Sequence, residues 1–196
     1  VVDPVVAHVG ILGYQGCIEP HEQIFKTLGV QCSRVRTHEE LACVDRLIIP
    51  GGESTTMLKF LKLHSMFGSV RDFARDNPVW GICAGAILIA SEVTNPQQDS
   101  LKLIDIAAHR NFYGSQLDSF TIDLAVDLVR EPVEAHFIRA PLLSKSHTVG
   151  SNKHPLVVHA YHGEQPVFFS QGNTWACSFH VELGKDLTLH QRFVEL

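Results

Sequence analysis

A chain of 196 residues is long enough to bury one full core, and 45% hydrophobic with 19% charged residues is ordinary for a globular protein in water. The formal net charge of -5 argues against broad electrostatic binding to nucleic acid or an anionic membrane, because Lys and Arg are outnumbered and scattered. Cys17, Cys32, Cys43, Cys83 and Cys177 are odd in number and include no CxxC pair, so neither a disulfide framework nor a zinc site is indicated, and a reducing cytoplasm fits best.

Along the chain, Val6 to Leu12 is predicted as a buried strand and Pro20 to Leu28 as a helix with Ile24, Phe25 and Leu28 inward, ended by Gly29. Val30 to Arg36 and Val44 to Ile49 read as strands, Thr55 to Leu63 as a helix, Val79 to Ile82 as a strand and Ala84 to Ser91 as the helix after it. This alternation is the pattern of a parallel sheet covered by helices on both faces. After Pro96-Gln97-Gln98-Asp99 the character becomes more antiparallel, with period-2 stretches at Ser119 to Leu124 and Ala135 to Ile138 and a hairpin-like pair at Val157 to Tyr161 and Val167 to Ser170. Thr174 to Phe179 reads as a late strand, and Leu187, Leu189 and Phe193 suit a closing helix. There is no linker or internal repeat, so one domain over residues 1–196 is expected. The apolar stretch Val79 to Ala90 is far short of the ~20 residues that span a bilayer, and Val1 to His8 shows no secretory leader.

The chemistry concentrates at strand ends, where parallel sheets bind ligands. Gly81-Ile82-Cys83-Ala84-Gly85 places a cysteine between close glycines at a strand-to-helix junction, the arrangement of a nucleophile elbow. A free thiol with a pKa of about 8.5 is only slightly ionised at neutral pH and needs a base or a helix N-terminus to act as a nucleophile. The bland reading of Cys83 is a small buried core residue, the usual fate of a free cysteine. His180-Val181-Glu182 supplies the base: residues two apart on extended backbone share a face, so the carboxylate can fix the imidazole tautomer. Taken alone this pair is weak, because the chain has twelve histidines.

Pro50-Gly51-Gly52-Glu53-Ser54-Thr55 follows a strand and opens a helix, so its glycines can bring backbone N–H groups to a ligand as an oxyanion hole. A phosphate cradle competes, but the stretch lacks the P-loop lysine and spacing, and Glu53 would repel phosphate. The plain alternative is a turn followed by a Ser54 helix cap.

Val9-Gly10-Ile11-Leu12-Gly13-Tyr14-Gln15-Gly16, the Pro50 to Thr56 stretch, the Cys83 elbow, Arg110-Asn111-Phe112-Tyr113-Gly114, Phe137-Ile138-Arg139-Ala140-Pro141 and Phe179-His180-Val181-Glu182-Leu183 occur in that order. In these segments, over essentially its whole length, the chain resembles the glutaminase subunits of pyridoxal 5′-phosphate synthases, within the triad glutamine amidotransferases. The resemblance implies a flavodoxin-like class I amidotransferase fold, an α/β three-layer sandwich on a mixed, mostly parallel sheet. It implies Cys83 as nucleophile, His180 as general base and acid, and Glu182 as the orienting carboxylate. Glutamine binding would fall to Gly52, Glu53, Ser54, Arg110, Ile138 and Arg139. The oxyanion hole would draw on Gly51, Gly52 and Ala84, with Gln15 and Gly16 helping to complete it when a synthase (lyase) subunit docks in a hetero-oligomeric complex. No metal or cofactor is implied. Val181 stands where the family usually has proline, and Tyr14 and Cys17 flank Gln15-Gly16 where smaller or plainer residues are more frequent.

The implied reaction is thiolate attack on the side-chain amide of L-glutamine, loss of ammonia, and hydrolysis of a glutamyl thioester to glutamate. Three rival readings stay open: a glutaminase serving a different synthase, a non-catalytic or weakly active regulatory subunit of the same fold, and a cysteine-elbow peptidase or stress protein. The Arg110 to Gly114 and Ile138 to Pro141 segments disfavour the first, and Val181 is the best support for the second.

Overall fold

The computed structural model describes residues 7–110, 119–147 and 153–196. The chain runs β1 (His8–Leu12), α1 (Ile18–Leu28), β2 (Gln31–Val35), α2 (His38–Ala42), β3 (Arg46–Ile49), α3 (Ser54–Leu63), α4 (Met66–Phe73), β4 (Val79–Ile82), α5 (Ala84–Ile89) and β5 (Ala90–Thr94). It continues through β6 (Ile104–His109), β7 (Phe120–Leu124), β8 (Val133–Phe137), β9 (Leu142–Lys145), β10 (Leu156–His162), β11 (Gln165–Gln171), β12 (Thr174–Cys177) and α6 (Thr188–Val194). The main sheet has the order β10-β11-β12-β4-β3-β1-β2. From β12 to β2 every neighbouring pair is parallel, whereas β10, β11 and β12 form an antiparallel meander. The expected mixed, mostly parallel sheet is therefore present.

Side-chain alternation along these strands divides the interior into two layers. Leu47, Ile49 and Val79 face one side with Met57, Leu58 and Leu61 of α3, Val70 of α4, and the small sheet β5-β6-β9. Val9, Ile11, Ile48, Trp80 and Ile82 face the other, against Phe25 of α1, Leu189 and Phe193 of α6, and the β7-β8 ribbon. Both faces of the central strands are covered, which explains why they read as apolar runs.

Several boundaries differ from the sequence reading. The helix after Cys83 stops at Ile89, because Ala90 turns to extended backbone (φ -63°, ψ 150°) and starts a strand pairing with β6. Ser54 is the first residue of α3, not its cap; Glu53 holds the N-cap position. Helices α2 and α4 and strands β6 and β9 are additions to the elements expected from sequence. Of these, α2 carries a full capping box, with Glu40 N–H donating to Thr37 Oγ1 and the Glu40 carboxylate accepting from Thr37 N–H.

Where α1 meets α6, two fully buried imidazoles touch: His21 Nδ1 lies 2.8 Å from His190 Nε2. Burial pushes His190 down to about 3, and burial followed by the neighbouring His190 and His180 holds His21 well below its ordinary value. Both therefore stay neutral in the fold while the unfolded chain protonates near ~6.5. A depressed folded-state value means that stability is complete above about pH 6.5 and declines as pH falls from there toward about 3. His190 alone is expected to contribute a slope of about 1.4 kcal/mol per pH unit across that window, with His21 acting in the same direction. Urea midpoints measured on descending pH should drop steadily below about 6.5; a midpoint unchanged down to about pH 5 would contradict this account.

Candidate active site

Strands β1, β3, β4 and β12 are neighbours in the sheet, so the segments leaving their carboxyl ends, residues 13–17, 50–53, 83 and 178–182, come together although they are far apart in sequence. Cys83 begins the turn with φ 51° and ψ -105°, a region costly for a side-chain-bearing residue, by about 1–3 kcal/mol. The flanking glycines serve a different need. A Cβ on Gly85 would overlap the Ile49 carbonyl oxygen, and one on Gly81 would press on the Gly85 carbonyl. They let α5 lie close over β3 and β4, while Cys83 N–H donates to Cys177 O at 2.8 Å and holds the turn to β12.

His180 and Glu182 are both buried, and His180 Nδ1–H donates to Glu182 Oε1 at 2.6 Å. The His180 backbone exchanges two bonds with His136 of β8, at 2.8 and 3.1 Å, which fixes the segment without a regular strand. Val181 is fully buried in the α6-side core, and its carbonyl accepts from Gly184 N–H, so the base and carboxylate meet without a proline between them. Burial opposes charge on His180, but hydrogen bonding to the Cys17 and Cys83 thiols and to Glu182, together with the Glu182 charge, pushes it up to about 12. The imidazole thus sits between two thiols and a carboxylate and is held protonated beside the candidate nucleophile.

The glycine loop lies against the imidazole. A Cβ on Gly51 would overlap His180 Cε1, and one on Gly52 would meet Gln15 Oε1 and Gly16 Cα. Gly16, at φ 112°, is packed so that a Cβ would overlap the Gly51 carbonyl. Two hydrogen bonds join the segments: Cys17 N–H to Gly51 O at 2.9 Å and Glu53 N–H to Gln15 Oε1 at 2.8 Å. Residues 15–17 and 51–53 therefore form one paired unit beside His180.

On the outer side, Arg110 Nη2 lies 3.8 Å from the exposed Glu53 carboxylate and donates to Thr55 Oγ1 at 2.9 Å. Ser54 Oγ and Thr55 Oγ1 both donate to Gln98 Oε1, at 3.1 and 3.3 Å. Gln98 and Thr55 are additions to the site expected from sequence, and nothing local in the sequence marks Gln98, which reaches it only by folding. Ile138 and Arg139 follow β8 as an exposed bend, with Arg139 at φ 44°. Residues 111–114 of the arginine motif lie outside the described residues. A wide open groove of about 1980 Å³ runs past Arg71, Glu92, Lys102 and Asn173 and reaches this region only at Gln98; it contains none of Cys83, His180 and Glu182.

Fold and site together define an α/β enzyme of the cysteine-dependent amidotransferase class. Residues 11–196 match the SNO glutamine amidotransferase family, and the chain belongs to it. It is 40% identical over 190 residues to the pyridoxal 5′-phosphate synthase subunit PdxT of Kosmotoga olearia, covering 95% of this chain and 96% of that one. It is 43% identical over 192 residues to PdxT of a Roseiflexus species, covering 96% and 99%. A crystal structure of a glutamine amidotransferase superposes with a TM-score of 0.85 at 36% identity, over 95% of this chain and 97% of that one. A putative GMP synthase component from Thermoplasma acidophilum shares the fold alone, with a TM-score of 0.64 at 15% identity over 98% and 94%.

Proposed function

We propose that this chain is the glutaminase of a pyridoxal 5′-phosphate synthase, one domain that hydrolyses L-glutamine to L-glutamate and passes the ammonia to a synthase subunit. The observation that carries the reading is His180 held on one side by Glu182 at 2.6 Å and interacting with the Cys83 thiol at a strand-to-helix elbow. The near full-length likeness to PdxT subunits supports the choice of partner. Cys83 thiolate attacks the amide carbon of glutamine, and the developing oxyanion is met by backbone N–H groups of the Gly51-Gly52 loop and Ala84. His180 donates its proton to the leaving ammonia, and the C–N bond breaks to leave a glutamyl thioester. His180 then takes a proton from water as that water attacks the thioester carbon, and the C–S bond breaks to release glutamate and restore the Cys83 thiolate. Glu53 and Arg110 carry charges suited to the substrate's α-ammonium and α-carboxylate, with Ser54, Ile138 and Arg139 completing the binding rim. The reaction is expected in the cytoplasm, in a hetero-oligomeric complex.

Gln15-Gly16 lies against Gly51-Gly52, so a synthase surface that docks on the first segment moves the second. One oxyanion donor is worth about 10²–10³ in rate. Glutamate release by the isolated chain is expected to be lower than in the complex by about that factor. The test is to titrate a PdxT-compatible synthase into the chain while following glutamate release and glutamine-dependent pyridoxal phosphate formation. Equal turnover with and without the synthase would refute the switch, and failure to support pyridoxal phosphate formation would refute the partner.

A further inference from the structure

We propose that His21, held in one tautomer by His190, is a positioning residue for the proposed triad, forming a buried chain of imidazoles that points an N–H at Glu182. The inference rests on the glutaminase reading above and deepens it.

The Glu182 side chain is fully enclosed. Its Oε1 accepts from His180, while Oε2 has no hydrogen-bond partner among the described residues. The His180 charge balances that of the carboxylate, but the second oxygen is left without a donor, and a buried acceptor with no partner is costly. His21 Nε2 lies 4.0 Å from Glu182 Oε1, is equally enclosed, and also has no hydrogen-bond partner among the described residues. At that distance the interaction is charge–dipole and not a hydrogen bond. The opposite ring nitrogen, Nδ1, is 2.8 Å from His190 Nε2.

The two neutral rings admit two proton arrangements. With the proton on His21 Nδ1, the Nε2 lone pair would face a buried anion. With His190 Nε2–H donating to His21 Nδ1, the His21 proton sits on Nε2 and its N–H dipole faces the carboxylate. Only the second arrangement is attractive, so Glu182 sets the polarity of the whole chain: His190 donates to His21, His21 faces Glu182, and Glu182 accepts from His180. The downward shifts of both histidines, led by burial, keep the pair neutral. His21 also sits in the opening part of α1, the helix that follows the Gln15-Gly16 segment. One helix therefore supports both the oxyanion side of the site and the carboxylate that orients its base.

The experiment tests two variants, each in complex with the synthase. His21→Leu removes the N–H, and His21→Gln keeps one near the Nε2 position. His21→Leu is expected to lower kcat about 3- to 10-fold with KM for glutamine little changed, less than the loss of a full hydrogen bond to a charged group. His21→Gln should recover most of that loss. The low-field proton resonance of His180 Nδ1–H should move in the Leu variant and return in the Gln variant. Wild-type kcat with an unmoved resonance in His21→Leu would overturn the proposal, as would equal impairment of both variants with the resonance unmoved. If His21→Leu fails to fold, nitrogen NMR of the wild-type complex decides, because His21 protonated on Nδ1 contradicts the inference outright. Absence of glutaminase activity in the wild-type complex would instead overturn the functional reading and leave the tautomer measurement standing.

Discussion

Replacing Cys83 with alanine is expected to lower glutamate release by a factor on the order of 10⁶, the loss seen when a hydrolytic triad loses its nucleophile, which places the variant at background. The same change should barely move the unfolding midpoint or the affinity for the synthase. Alanine at φ 51° is no more strained than cysteine there, and the Cys83 N–H bond to Cys177 belongs to the backbone. Cys83 is buried, but the change removes a single atom, so the void is small and costs little. Cys17 makes this a sharper experiment than usual, because it is a second thiol on the same imidazole. Cys17→Ala should retain activity, since Cys17 precedes α1 and does not stand at the elbow before α5. Parallel assays of glutamate release, thermal unfolding and co-elution with the synthase separate the cases. Activity retained in Cys83→Ala and lost in Cys17→Ala would transfer the nucleophile to Cys17.

The strand-end logic was legible in the residues because each chemical segment is bounded by an apolar run whose direction follows from a parallel sheet. Val79 to Ile82 runs into Cys83, and Val44 to Ile49 runs into Pro50; both appear with nearly the expected limits. The glycines were legible as a sharp turn, but for a reason that only packing reveals: Gly81 and Gly85 clear space for backbone, whereas Cys83 carries the positive φ. Helix α4 was readable in principle from Met66, Val70 and Phe73 at spacings of four and three, and β6 from Ile104, Ile106 and Ala108 at spacing two. Gln98 and the His21–His190 pair were not readable. Nothing local distinguishes a histidine on a helix that will face solvent from one that will meet another histidine 169 residues away. The same holds for Cys17, whose identity was visible as a departure from the family pattern but whose contact with His180 depends on β1 and β12 converging around β3 and β4.

Glu182→Gln is expected to reduce kcat by a factor on the order of 10⁴ and to lower stability at neutral pH. The substitution keeps shape and volume, so the fully enclosed site can still be filled. What changes is the proton arrangement. Glu182 can only accept from His180 Nδ1–H, at 2.6 Å, so the proton that His180 gives up and takes back in the reaction is the one on Nε2. An amide also offers N–H donors, and a Gln N–H donating to Nδ1 forces the proton onto Nε2, where the imidazole cannot take one from a thiol or from water. The charge matters as well. Burial opposes the imidazolium, and Glu182 contributes both a hydrogen bond and its charge to holding His180 up at about 12; without them His180 titrates lower and the thiolate loses its counter-ion. Stability should fall as well at neutral pH, because the buried His180 loses the carboxylate that offset its charge and must either give up its proton or stay unpaired. The measurement pairs single-turnover glutamate release with an NMR titration of His180. Activity within about tenfold of wild type would remove Glu182 from the mechanism, since losing the orienting carboxylate should cost far more. A His180 titration that fails to shift downward would show that the carboxylate does not hold the imidazolium in place.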